Sequence, residues 1–130
     1  MIVVDASVAV DLLLRPPSDV QLATRLLTGS ETLHAPHLLD VEVAQVLRRH
    51  EARGTLNAAR GRAALDLLRQ MPLVRHGHRE LIARAWNLRK NLTAYDAMYV
   101  ALAEVLGAVL LTRDQRLAAA PGHRARVEIV

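Results

Sequence analysis

Cysteine and phenylalanine are absent from the 130 residues, and the aromatic side chains are confined to Trp86, Tyr95 and Tyr99. Without cysteine there is no disulfide framework and no thiolate metal site, which suits a reducing compartment such as the cytoplasm and restricts any metal to oxygen or imidazole donors. So few aromatics leave the core to Ala, Leu and Val, and they argue against the stacking platform of a single-strand-binding fold. Also missing are a Pro/Gly/Ser-rich linker, an internal repeat and a low-complexity tract, so residues 1–130 read as a single domain. The opening MIVVDASVAVDLLL has no basic leader and is interrupted by Asp5 and Asp11, so neither a signal peptide nor a membrane span is expected.

Lysine is nearly missing too: of 17 basic residues only Lys90 is a lysine, and the chain carries a formal charge of +4. Arginine forks onto phosphate or carboxylate. The balance fits an RNA, a DNA or an acidic protein partner, and equally an arginine-rich proteome.

Short apolar runs alternate with longer helical patterns. Strands are expected at Ile2 to Val4, in TLHAP, PLVRH and AVLLT, and at a closing edge strand RVEIV. Helices are expected over SVAVDLLL up to Pro16 and Pro17, over VQLATRLLTG with Ser18 or Asp19 as cap, from His37 to Arg53 and from Asn57 to Gln70. Two more are expected over RELIARAWNLRK and from Thr93 to Glu104, and one or two turns in RDQRLAAAPG. Strand and helix in alternation imply crossover units, a parallel sheet with helices on both faces, and an α/β class.

In such sheets ligands bind beyond the carboxyl ends of the strands, which directs attention to the acids there. Asp5 follows the first strand and Asp114 the AVLLT strand; each also suits a helix cap. Glu42 borders an apolar face whose neighbours three and four residues away are Leu38, Leu39, Gln45 and Val46, so it has no local basic partner. Asp96 falls between Leu92 and Val100 on one helical face, and Thr93 three residues earlier offers a capping box as the alternative. By contrast Asp11 with Arg15, Asp66 with Arg62 and Arg69, and Glu80 with Arg84 look like solvated pairs, while Glu104 and Asp40 look exposed. Four carboxylates in one cleft repel, by about 4 kcal/mol for a pair at roughly 4 Å and an effective dielectric of 20. A hard divalent ion such as Mg²⁺ or Mn²⁺ is the natural remedy. The histidine pairs His34/His37 and His76/His78 have loop-like spacing and no helical zinc pattern.

The stretches IVVDASVAVDLLL, APHLLDVEVAQVLRR and LTAYDAMYVALAEVLGAVLLTRDQRL together resemble the VapC-type PIN-domain ribonucleases, toxins of VapBC toxin-antitoxin pairs. The resemblance implies a three-layer α/β/α sandwich around a mainly parallel sheet and an Mg²⁺- or Mn²⁺-dependent acidic site. By motif, Asp5, Glu42, Asp96 and, as a less uniform ligand, Asp114 would hold the metal and carry catalysis, with Ser7 and Thr112 as supporting hydroxyls. The reaction implied is hydrolysis of RNA phosphodiesters by metal-activated water. Arg48, Arg49, Arg53 and Arg113 would touch the flanking phosphates or else be solvated helix faces. A cognate VapB-type antitoxin and a homodimer are implied as partners, and a cytoplasmic location.

Two rivals follow from the same residues. A catalytically silent PIN-like module would bind RNA or a partner without cutting. A receiver-like phosphoacceptor would want an aspartate after the third strand and a lysine near the last strands; PLVRH supplies no acid and Lys90 is the one lysine.

Overall fold

The computed structural model describes residues 1–15 and 20–130, so the expected stop at Pro16 and Pro17 and the cap at Ser18 or Asp19 lie outside the described residues. The described elements run β1 (Ile2–Val4), α1 (Ala6–Leu14), α2 (Val20–Leu27), β2 (Leu33–Pro36), α3 (Leu38–Ala52), α4 (Ala58–Gln70), β3 (Leu73–His76), α5 (Ile82–Asn87), α6 (Ala94–Leu106), β4 (Val109–Thr112), α7 (Gln115–Ala119) and β5 (Arg126–Ile129). All five strands are parallel, in the order β3-β2-β1-β4-β5. The expected α/β class, parallel sheet and edge position of the last strand are what is found.

Ile2, Val3 and Val4 are each fully buried. Because successive strand side chains point to opposite faces, this can happen only if both faces of the sheet are covered. Helix α6 packs against β1, β2 and β4, and its apolar residues Tyr99, Val100 and Leu102 belong to the core. It ends at Gly107, whose φ of +60° is the left-handed conformation that a residue without Cβ adopts at least cost. No helix among the described residues is long and apolar enough to cross a membrane.

Four expectations need correction. The helix expected over RELIARAWNLRK is only the six residues of α5. Past it Leu88, Arg89 and Asn91 donate to carbonyls three residues back, a tighter winding that reverses the chain before α6. Glu104 is not an exposed, partnerless acid. It receives Arg84 in a bidentate pair at 2.7 and 3.0 Å plus the Arg124 N–H at 2.8 Å, so Arg84 spans 20 residues to Glu104 instead of pairing with Glu80. His34 and His76 lie in strands, not loops: His34 Nδ1 meets His76 Nε2 at 2.9 Å across β2 and β3. Asp40, expected at the surface, is half-exposed and holds Arg75 by two hydrogen bonds of 2.7 and 2.9 Å.

Candidate active site

In a parallel sheet every strand ends on the same side, and a helix that leads into a strand begins on that side. The strand order reverses at β1, with β2 and β3 on one side and β4 and β5 on the other, so the crevice for a ligand lies beyond the ends of β1 and β4. Asp5 follows β1, Asp114 lies two residues past β4, Glu42 is in the second turn of α3 after β2, and Asp96 is in the first turn of α6. The topology therefore carries four acids, up to 109 positions apart in sequence, to one end of the sheet.

Asp5 is 7% exposed and both its oxygens are engaged. Oδ1 caps α1 by accepting the Val8 N–H at 3.0 Å and also accepts the Ser7 hydroxyl at 2.6 Å, while Oδ2 accepts a short hydrogen bond from the Thr112 hydroxyl. Ser7 Oγ in turn accepts the Arg113 N–H at 3.0 Å, and Thr112 Oγ1 accepts the Asp114 N–H at 2.9 Å. Capping and site-building are thus one network: the same atoms that start α1 stitch β1 to the loop after β4. With three bonds accepted, a carboxylate retains lone-pair capacity for a cation.

Glu42 is half-buried, and its Oε2 accepts the hydroxyl of Tyr99 at 3.0 Å. Burial holds Glu42 above the usual carboxylate range; the Tyr99 hydrogen bond opposes this, and the charges of Asp96 and Asp5 add to it. Asp96 is displaced in the same direction, first by burial, with the Thr93 side chain opposing and the charges of Asp114 and Asp5 adding. Thr93 also accepts the Asp96 N–H at 3.1 Å as the N-cap of α6, so the capping alternative and membership of an acid cluster hold together. Asp114 Oδ1 caps α7, accepting from Arg116 at 2.8 Å and Leu117 at 3.4 Å. Asp5, Glu42, Asp96 and Asp114 therefore feel one another's charge, and none of them has an ion-pair partner among the described residues, whereas Asp11, Asp40 and Glu104 all do.

The donor set suits a hard divalent ion: it is all oxygen, anionic and short of positive charge. Among the described residues no group of three or more His, Asp or Glu side chains stands as a ready metal cage. That is compatible with Mg²⁺, which usually takes one or two carboxylates and keeps several waters. The charges couple across the crevice without the oxygens converging.

The arginines scatter. Arg113 is held by its Nε against Asp11 Oδ2, and Asp11 also takes Arg15. Arg48, about 120° around α3 from Glu42, lines a separate groove with Arg62 and Arg69. Arg53 lies just past the end of α3. Arg49 alone of the four lines the groove that contains Glu42, beside Tyr95. The sequence assigns no site role to Tyr99, whose hydroxyl ties α6 to α3 at the site. The signal was its place in YDAMY, three residues after Asp96.

Comparison with known proteins agrees with this geometry. Residues 2–122 match the PIN domain family model. Ribonuclease VapC3 of Mycobacterium tuberculosis is 49% identical over 119 residues, covering 92% of this chain and 86% of that protein. Ribonuclease VapC9 of the same species is 50% identical over 117 residues, covering 90% and 88%. Among solved structures, VapBC2 from Rickettsia felis bound to a DNA fragment from its promoter shares the fold with a TM-score of 0.75, at 14% identity and covering 100% of this chain and 99% of that one. A parallel sheet ending in unpaired acids, a family match over nearly its whole length and relatives at half identity together make this chain a member of the PIN-domain family, of the VapC ribonuclease type.

Proposed function

We propose that the chain is the toxin of a type II toxin-antitoxin pair, a cytoplasmic endoribonuclease in which Asp5, Glu42 and Asp96, with Asp114 at the margin, hold Mg²⁺ or Mn²⁺ directly or through its waters. The observation that carries this is the absence of any basic partner for those four acids among the described residues, while the nearby Asp11 is paired with both Arg15 and Arg113. A divalent ion bound there supplies charge for the phosphoryl oxygens and lowers the pKa of a coordinated water. The chain's own residues supply position. Asp5 is locked by three hydrogen bonds, and Glu42 is oriented by Tyr99. Asp96 is set at the start of α6 by the Thr93 cap, which fixes where its carboxylate faces the other acids. RNA is the substrate by kinship with the VapC ribonucleases. A VapB-type antitoxin placing a basic side chain against the acids would neutralise the same charges the metal does.

The test is cleavage of total RNA with Mg²⁺ or Mn²⁺ and with chelator, mapping the new ends, for the wild type and for Asp5→Asn and Asp96→Asn. Metal-dependent ends lost in both variants are expected, with RNA binding retained. An Asp5→Asn protein that cuts RNA as fast as the wild type defeats the assignment, and a wild type that binds RNA but never cuts it favours a silent binding module.

A further inference from the structure

Helix α3 does more than carry Glu42. Leu38, Glu42, Gln45, Val46 and Arg49 recur at the offsets of one helical face, and with Val41 and Ala6 they line an open groove of about 470 Å³ against Tyr95, the residue before Asp96. The volume lies within the range of small-ligand pockets, about 300–1,000 Å³. Tyr95 is 60% exposed and Val41 68% exposed, an unusual outlay of aromatic and branched surface on a chain with so few aromatics. Neither the Arg49 side chain nor the Gln45 side chain nor the Tyr95 hydroxyl has a hydrogen-bond or ion-pair partner among the described residues.

We propose that this groove is a nucleotide subsite for single-stranded RNA, in which an unpaired base next to the scissile phosphate lies on the Tyr95 ring over the Leu38 and Val46 side chains, Gln45 meets the base edge, and Arg49 holds a phosphate further along the strand. The inference rests on the ribonuclease reading and adds where the substrate's bases go. The groove is continuous with the site, because Glu42 belongs to both. Arg49 is seven residues from Glu42, about 10 Å along the helix, and a stacked strand rises about 3.4 Å per nucleotide, so Arg49 meets a phosphate two or three steps from the one being cut. One aromatic face, one amide able to donate and accept, and one cation form a base-and-phosphate site, not a long apolar trough for a helix. A duplex keeps its bases stacked on each other and cannot offer one to Tyr95.

The experiment measures affinity in chelator, where nothing is cut, for a short single-stranded RNA and for its duplex, with Tyr95→Ala, Tyr95→Trp, Gln45→Ala and Arg49→Gln. Tyr95→Ala should weaken single-strand binding about 5- to 100-fold, with little change for the duplex, and Tyr95→Trp should retain the affinity. Arg49→Gln should reduce the slope of log affinity against log salt by about 0.7. In a separate cleavage of total RNA with Mg²⁺, Gln45→Ala should change which bases flank the mapped ends. Intact thermal unfolding in all variants, expected because Tyr95, Gln45 and Arg49 are exposed, keeps the comparison clean. Unchanged affinity in Tyr95→Ala, or an equal loss for the duplex, overturns the proposal while leaving the ribonuclease reading untouched. Weakening confined to the antitoxin complex also overturns it and assigns the groove to the antitoxin. A wild type that cuts RNA with Mg²⁺ yet prefers no single strand over the duplex in chelator likewise overturns the proposal and leaves the ribonuclease reading standing.

Discussion

Tyr99→Phe removes one oxygen and little else. The ring is 1% exposed, so phenylalanine fills the same volume, and what disappears is the 3.0 Å hydrogen bond to Glu42 Oε2. In the wild type, burial and the charge of Glu42 push the Tyr99 hydroxyl far above its usual range, so it remains protonated and a donor. A hydrogen bond to a charged group contributes about 1.5–3 kcal/mol, and partial exposure of Glu42 brings the expectation down to about 1–2 kcal/mol. For a chain of this size that lowers Tm by about 3–8 °C at neutral pH. The pH dependence separates this from a packing effect. Glu42 already ionises less readily folded than unfolded, so its charge lowers stability as pH rises from the ordinary value of 4.5 through the raised one. Losing the donor raises that folded value further. The cost of Tyr99→Phe is therefore small below pH 4.5, where Glu42 is protonated in both states, and complete above the raised value. In activity, the acid limb of the pH profile should move to higher pH, and more divalent ion should be needed for half-maximal rate, with excess metal restoring much of it. Thermal melts by circular dichroism from pH 4 to 8 and a metal titration of RNA cleavage are the assays. A Tyr99→Phe protein with a pH-independent loss of stability and an unmoved acid limb refutes the reasoning and leaves Tyr99 as core packing.

Asp96→Asn should raise Tm at neutral pH in chelator, because a carboxylate that burial disfavours is replaced by a neutral amide; added Mn²⁺ should raise the Tm of the wild type and not of the variant. Thr112→Val should cost about 1–3 kcal/mol, since Thr112 is fully buried and its loss strips Asp5 Oδ2 of a donor and the Asp114 N–H of an acceptor; an unchanged chemical denaturation midpoint would contradict this. For Glu104, Arg84 holds the carboxyl below its usual value, so the pair stabilises the fold above about pH 4.5 and the benefit fades as pH falls through the lowered value. Glu104→Gln should therefore cost about 1 kcal/mol at pH 7 and progressively less in acid, read by denaturant titration at several pH values.

The sequence by itself determined the alternation of strand and helix, and with it the parallel sheet, because periods of two and 3.6 are local properties that survive in print. It also marked Glu42 and Asp96 as out of place, since an acid on an apolar stripe with no cation three or four residues away is a local contradiction. What it left undecided were the pairings that span the chain. Arg84 chose Glu104 over the nearer Glu80 where α5 packs on α6, Arg75 of β3 reached back to Asp40 of α3, and His34 met His76 across β2 and β3, because which elements adjoin is set by tertiary packing and not by sequence distance. Asp5 shows the division most plainly. Its place after a strand was legible, but only the register of β1 beside β4 brings the Thr112 hydroxyl to it, and only the packing of α6 beside the sheet brings Tyr99 to Glu42. Local spacing names the acids; tertiary contact decides which atoms hold them.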